Sequence, residues 1–148
     1  MIREASLTDI PALLELFYNY YKEGNMKWAE WSDGKTRQSI LHGITDEEKL
    51  LLVAEKSDKI VGALYGELVY PAFSYTPVFD ARILYVLPEN RGGTLGVQLI
   101  KKAKQMNKEA GVPAINIGVT SEIHTERTAK LYEKLGFYRV GYEYRTEV

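Results

Sequence analysis

The chain contains no cysteine, which excludes a disulfide framework, a thiolate metal site and a cysteine acyl-enzyme. Histidine is scarce: only His42 and His124 are present, far apart, so a zinc site is not expected. The five prolines form no proline-rich run. No apolar stretch approaches the length of a membrane span, and the N-terminus does not read as a signal peptide. Low-complexity tracts and internal repeats are missing. A formal net charge of −1 leaves no broad basic surface for nucleic acid. These absences set the expectation of a cytoplasmic protein with no metal, no membrane and no nucleic-acid partner.

What is present fits one domain, residues 1–148, long enough to bury a core. Residues 2–4 can form a short edge strand. Thr8 or Ser6 caps a helix running to about Lys22 and ending near Gly24, with Ile10, Leu13, Leu14, Phe17 and Tyr21 on one face. Residues 25–32 are irregular and carry Trp28 and Trp31, and residues 33–44 read as a second helix with Ile40, Leu41 and Ile44 inward. Residues 50–55 and 59–70 read as paired strands around a Ser57-Asp58 turn, with Gly62 and Gly66 as bulge or close-approach points. After a loop at residues 71–77, a central strand is expected over residues 80–87. A helix follows over residues 94–110, its face of Lys101, Lys102, Lys104 and Lys108 turned to solvent. A strand at residues 113–119, a helix at 125–135 stopped by Gly136, and a final strand at 137–145 complete the pattern. The order is that of an α+β fold: one mixed, mostly antiparallel central sheet with helices on both faces. The eleven tyrosines suit either core packing or an aromatic substrate channel, since amphipathic rings serve both uses.

The most telling stretch is Val-Leu-Pro-Glu-Asn-Arg-Gly-Gly-Thr-Leu-Gly, residues 86–96, between a buried strand and a helix. Glycines there let the backbone approach a ligand, and the first helical turn offers free N–H groups and a positive dipole end, an anion-binding device. A P-loop is a poor fit, because Val97-Gln98 follows Gly96 with no lysine to reach the outer phosphates. A dinucleotide turn is a poor fit, because Gly92, Gly93 and Gly96 have the wrong spacing and come late in the chain.

Arg91-Gly92-Gly93-Thr94-Leu95-Gly96 resembles the acetyl-CoA loop [QR]-x-x-G-x-[GA] of the GNAT superfamily, the GCN5-related N-acetyltransferases. The phrase Leu84-Tyr85-Val86, then Pro88-Glu89-Asn90-Arg91-Gly92, resembles the strand that precedes that loop. Leu131-Tyr132-Glu133-Lys134-Leu135-Gly136-Phe137 resembles the L-Y-x-[KR]-x-G-F signature closing the last helix. Ile2-Arg3-Glu4-Ala5 and Thr8-Asp9-Ile10 resemble a common GNAT opening. The resemblance spans nearly the whole chain and implies a single GNAT-fold domain.

It also implies a reaction, transfer of an acetyl group from acetyl-CoA to a primary amine by direct attack in a ternary complex. Main-chain N–H groups of Arg91, Gly92, Gly93, Thr94, Leu95 and Gly96 would hold the pyrophosphate, and the strand end at Leu84 and Val86 would pair with the pantetheine arm. Tyr132 would protonate the departing thiolate. Asp80 stands where the histone-acetylating branch has its glutamate base, with an ordinary ion pair to Arg82 on the same strand face as the rival reading. Glu67, Glu122 and His124 are further candidates by residue type. Two positions depart from the family pattern. Thr94 replaces a usual glycine, and a positive φ there would cost about 1–2 kcal/mol unless Gly93 took up that role. Thr125 replaces a frequent asparagine, where it could cap the helix and reach the CoA arm. Trp28 and Trp31 fall where the fold walls the acceptor, either as a cation-binding surface or as anchors for their loop. The acceptor would be a small-molecule or peptide amine, and a homodimer is compatible with exposed strand edges. A CoA-binding or partner-binding module without catalysis, or a longer acyl group, would share these motifs.

Overall fold

A computed structural model of the chain describes residues 1–119 and 123–148. Its elements are β1 (Ile2–Glu4), α1 (Ile10–Glu23), α2 (Asp33–Thr45), β2 (Lys49–Lys56), β3 (Lys59–Val69), β4 (Val78–Val86), α3 (Leu95–Glu109), β5 (Ile115–Ile117) and α4 (Thr125–Lys134). The strands lie in chain order, β1-β2-β3-β4-β5. All neighbours are antiparallel except β4 and β5, which are joined through α3 and run parallel.

Both sheet faces are covered, so the central strands are apolar on every residue rather than on alternate ones. In β2, Leu51 and Val53 pack with Leu13, Phe17 and Ile40 of α1 and α2. Their neighbours Leu52 and Ala54 pack with Leu99, Ile100 and Ala103 of α3 on the other face. This burial of about a dozen large side chains is the dominant favourable term in folding.

At the N-terminus, the Arg3 guanidinium forks onto Asp9 at 2.7 and 2.9 Å and also contacts Glu55 of β2. Asp9 in turn accepts the Ser6 N–H at 2.7 Å, tying β1 to the turn that starts α1. Arg3, helped by Ser6, holds the Asp9 carboxyl down at about 2.

A bulge in β4 decides where the site can form. The register steps from Tyr65↔Ile83 to Gly66↔Ala81, leaving Arg82 without a partner on β3. Before Arg82 it is the odd residues, Phe79 and Ala81, that face α3 and α4; beyond it the even residues Leu84 and Val86 do, while Tyr85 turns to α1. Gly66 permits this close crossing, since a Cβ there would meet Phe79 Cζ at 2.5 Å and the Asp80 carbonyl at 2.6 Å.

Three expectations change. Leu41 of α2 is exposed rather than inward. Lys104 donates to the Leu135 carbonyl at 3.1 Å, so it caps the C-terminus of α4 instead of merely facing solvent. The strand expected over residues 137–145 does not form, and its alternating Tyr138, Val140, Tyr142 and Tyr144 are all exposed. Alternation alone does not make a strand: its N–H and C=O groups need a ladder, and no strand among the described residues pairs with this segment.

Candidate active site

The site begins where two strands separate. β4 and β5 pair only through Phe79↔Ile115, Asp80↔Asn116 and Ala81↔Ile117. Beyond the bulge, β4 runs on to Val86 with no neighbour on that side among the described residues. The Leu87 N–H bonds to Val61 on β3 at 2.8 Å, and alternation then directs the main-chain groups of Leu84 and Val86 to the free edge. A groove of ≈ 800 Å³ opens there, with Leu84, Val86, Gly92, Gly93, Ile117 and Tyr132 among its walls.

One end of the groove is the turn into α3. The Arg91 N–H closes onto the Pro88 carbonyl at 3.3 Å, but the amides from Gly92 to Gly96 donate to no main-chain carbonyl among the described residues. Five successive free N–H groups at a helix start form a cradle of the kind that binds phosphate. The left-handed residue in this turn is Gly92, at φ +88°. Thr94 has φ −107° and therefore carries no strain, and its hydroxyl accepts from Gln98 Nε2 at 2.7 Å. The positive φ thus falls two residues before Thr94, on Gly92 rather than Gly93.

Arg91 is part of the groove wall, and its side chain is held by α1 and β4. Its Nη1 and Nη2 donate to Glu23 Oε1 and Oε2, both at 2.6 Å, and its Nε donates to the Val86 carbonyl at 2.8 Å. Tyr85 adds a hydroxyl donor to the same Glu23 oxygen at 2.9 Å. The Arg91 fork, helped by Tyr85, holds Glu23 below the usual carboxylate range. Burial, with Glu23 beside it, pushes the Tyr85 phenol up to about 12.

The opposite wall carries Tyr132 of α4, only 7% exposed, whose hydroxyl donates to the Gly118 carbonyl at 3.2 Å. Burial pushes this phenol well above its ordinary value, so it holds its proton at any physiological pH. Tyr20 of α1 reaches the same groove with its phenol also raised by burial.

The family model of the acetyltransferase (GNAT) domain matches residues 47–139, more than half of the chain. The chain belongs to the GNAT family. Its fold agrees with many solved structures. One is a probable acetyltransferase, with a TM-score of 0.80 at 20% identity, covering 100% of this chain and 97% of that one. Another is AAC(6')-Iy in complex with the bisubstrate analogue CoA-S-monomethyl-acetylneamine, with a TM-score of 0.78 at 17% identity, covering 100% and 98%. A third is a predicted acetyltransferase with acetyl-CoA from Clostridium acetobutylicum, with a TM-score of 0.77 at 16% identity, covering 99% and 95%. No match was found among curated protein sequences.

Within this GNAT domain the residues singled out from sequence fall into two groups. Leu84, Val86, Arg91, Gly92, Gly93, Leu95, Gly96, Tyr132, Asp80 and His124 line one groove. Thr94, Thr125, Trp28, Trp31 and Glu67 do not. Thr125 is the first residue of α4, preceded by His124 in a left-handed conformation at φ 48°. Trp31 packs its ring on Tyr18 and Tyr21, with centroids at 5.1 and 5.5 Å, and donates its indole N–H to Asp33 at 2.8 Å. Trp28 is exposed, with the Arg145 guanidinium 5.6 Å from its ring centre. Tyr20 and Met26 are the aromatic and apolar groups that α1 and its following loop bring to the groove. Their only sequence signal was membership of a tyrosine-rich helix and an irregular loop. Arg82 spans Asp80 and Glu67: its Nε bonds Glu67 at 2.8 Å, and its Nη2 lies 2.6 Å from Glu67 and 3.8 Å from Asp80. Glu122 lies outside the described residues.

No group of three or more His, Asp or Glu side chains able to hold a metal ion occurs among the described residues. No helix among them is long and apolar enough to cross a membrane.

Proposed function

We propose that this GNAT domain is an acetyl-CoA-dependent N-acetyltransferase that acts on a primary amine by direct attack in a ternary complex. The observation that carries the reading is that the β4 edge at Leu84 and Val86, the turn residues Gly92, Gly93, Leu95 and Gly96 with their unpaired amides, and Tyr132 all line one groove. Diphosphate suits the amide cradle, and a chain bearing peptide-like groups suits the strand edge. Two proteins of similar fold carry a ligand of this kind: AAC(6')-Iy is in complex with a CoA bisubstrate analogue, and the Clostridium acetobutylicum protein is with acetyl-CoA.

In this reading the neutral amine nitrogen attacks the thioester carbonyl, and the carbon–sulfur bond breaks as the tetrahedral centre collapses. The Tyr132 phenol delivers a proton to the leaving thiolate. The proton lost by the amine goes to Asp80, directly or through water. Asp80 is exposed enough to meet solvent, and its nearest cation, Arg82, is committed chiefly to Glu67. A cationic amine fits the acceptor side, where the Asp80 carboxylate and the Tyr20 ring lie on the groove.

Isothermal titration with acetyl-CoA tests the donor half, and thiol release across a panel of primary amines tests the transfer. Binding without release by any amine would favour a non-catalytic CoA-binding module. Asp80→Asn should lower kcat by about 10²-fold, the lower end of the range for a positioned base. An unchanged kcat would leave water as the proton acceptor.

A further inference from the structure

Glu23 closes α1 with an acid, which opposes the negative end of the helix dipole. Its carboxylate meets Arg91, 68 positions later, in a two-point fork. The pair is half-buried, with side-chain exposures of 20% for Arg91 and 28% for Glu23. Three of the five guanidinium donors are consumed, two by Glu23 and one by the Val86 carbonyl. The Tyr85 ring lies 5.3 Å from the guanidinium, while its hydroxyl holds the other partner. Two of these contacts tie Arg91 to α1, and the third takes the Val86 carbonyl at the groove edge of β4.

The geometry points to Glu23 as a positioning residue: acting through Arg91, it fixes the turn of residues 91–96 so that its amides converge on the diphosphate of acetyl-CoA. This rests on the N-acetyltransferase reading above. The turn needs such a tie. Among the described residues the amides from Gly92 to Gly96 donate to no main-chain carbonyl, and Gly92, Gly93 and Gly96 have no side chain to anchor the turn. A fork between a planar guanidinium and a carboxylate fixes direction as well as distance. Because α1 also delivers Tyr20 to the groove, the same contact sets the donor loop against the acceptor wall.

The opposing view treats Arg91 as a cation for the diphosphate, with Glu23 as its competitor. The two views predict opposite signs. Glu23→Gln keeps the shape, removes the negative charge and leaves Arg91 more positive. If Glu23 positions the loop, Glu23→Gln should weaken acetyl-CoA binding and raise its KM by roughly tenfold, the scale of a charge-assisted hydrogen bond, with kcat at saturation changed less than about twofold. Titration calorimetry and initial rates read both quantities. Glu23→Ala and Arg91→Ala should each weaken binding, and the double variant should be no worse than the worse single one, because both break the same contact. Tighter or unchanged acetyl-CoA binding by Glu23→Gln, or fully additive losses, would overturn the inference. Failure of the wild-type chain to bind acetyl-CoA would instead remove the functional reading, and this inference with it.

Discussion

Phe137 folds back onto Tyr132: its N–H donates to the Tyr132 carbonyl at 3.0 Å, and the two ring centres lie 5.8 Å apart. Gly136 makes the reversal possible at φ +91°, and its own N–H closes onto Glu133 at 3.1 Å. Together these bonds form a Schellman stop with its usual apolar contact. The stop does more than end α4. It pins the residue bearing the groove-facing phenol from both its backbone and its ring, and Lys104 adds a bond to the Leu135 carbonyl next to it.

Tyr132→Phe isolates the hydroxyl from that packing. The ring, the stop and the contact with Phe137 persist, so stability should fall only by the ~0.5–1.5 kcal/mol of one hydrogen bond, that to Gly118. Turnover should fall by about 10²-fold or more, while acetyl-CoA affinity stays within a small factor. Thiol-release kinetics beside calorimetry separate the two, and an intact rate would remove Tyr132 from proton delivery. Because burial raises this phenol, the wild-type rate should not decline near pH 10 through loss of the Tyr132 proton.

Gly66→Ala probes the bulge. The added methyl would lie 2.5 Å from Phe79 Cζ and 2.6 Å from the Asp80 carbonyl, so β3 and β4 must separate or re-register. A cost of about 1–3 kcal/mol is expected from such overpacking. Urea unfolding measures it. The site should suffer too, since the bulge at Arg82 is what turns β4 away from β5. A variant of wild-type stability and wild-type acetyl-CoA affinity would show that the crossing is not tight.

How much of this was legible beforehand depends on how local each feature is. The stop at Gly136-Phe137 and the turn at Arg91–Gly96 are written in consecutive residues, and both are legible as turns flanking helices. The two-sided burial of β2 and β3 was legible as near-continuous apolar runs. The Arg82 bulge needs the β3–β4 register, which no single strand reveals. The pairing of Glu23 with Arg91 joins positions 68 apart. The tryptophans stand out in the sequence as large aromatics, yet Trp31 serves its own loop through Asp33 and the α1 tyrosines. At the C-terminus, strand-like alternation was a true pattern without a ladder to join.

Gly92 and Gly93 make a matched pair for testing the loop. A Cβ at either would touch nothing within 4 Å, so sterics with neighbours do not distinguish them. Backbone conformation does, because of the two only Gly92 has a positive φ, at +88°. Gly92→Ala should cost about 1–2 kcal/mol in the free protein, and Gly93→Ala should stay within about 0.5 kcal/mol. Thermal or urea unfolding of the two variants checks this, and equal losses would contradict the turn geometry.

Asp9 gives the fold a defined acid limit. Its carboxyl is lowered from 3.8 to about 2 by Arg3 and Ser6, so folding stabilises the charged form. That contribution is complete above the unfolded value near 4 and is lost as pH falls through about 2. At ~1.4 kcal/mol per pKa unit it amounts to about 2 kcal/mol at neutral pH. Asp9→Asn should remove most of it at pH 7, and the gap between the two proteins should narrow as pH is lowered from 4 to 2. Urea unfolding across that range checks the sign as well as the size. A gap that widened on acidification, or that did not change with pH, would mean that the Arg3–Asp9 fork does not contribute as a charge pair.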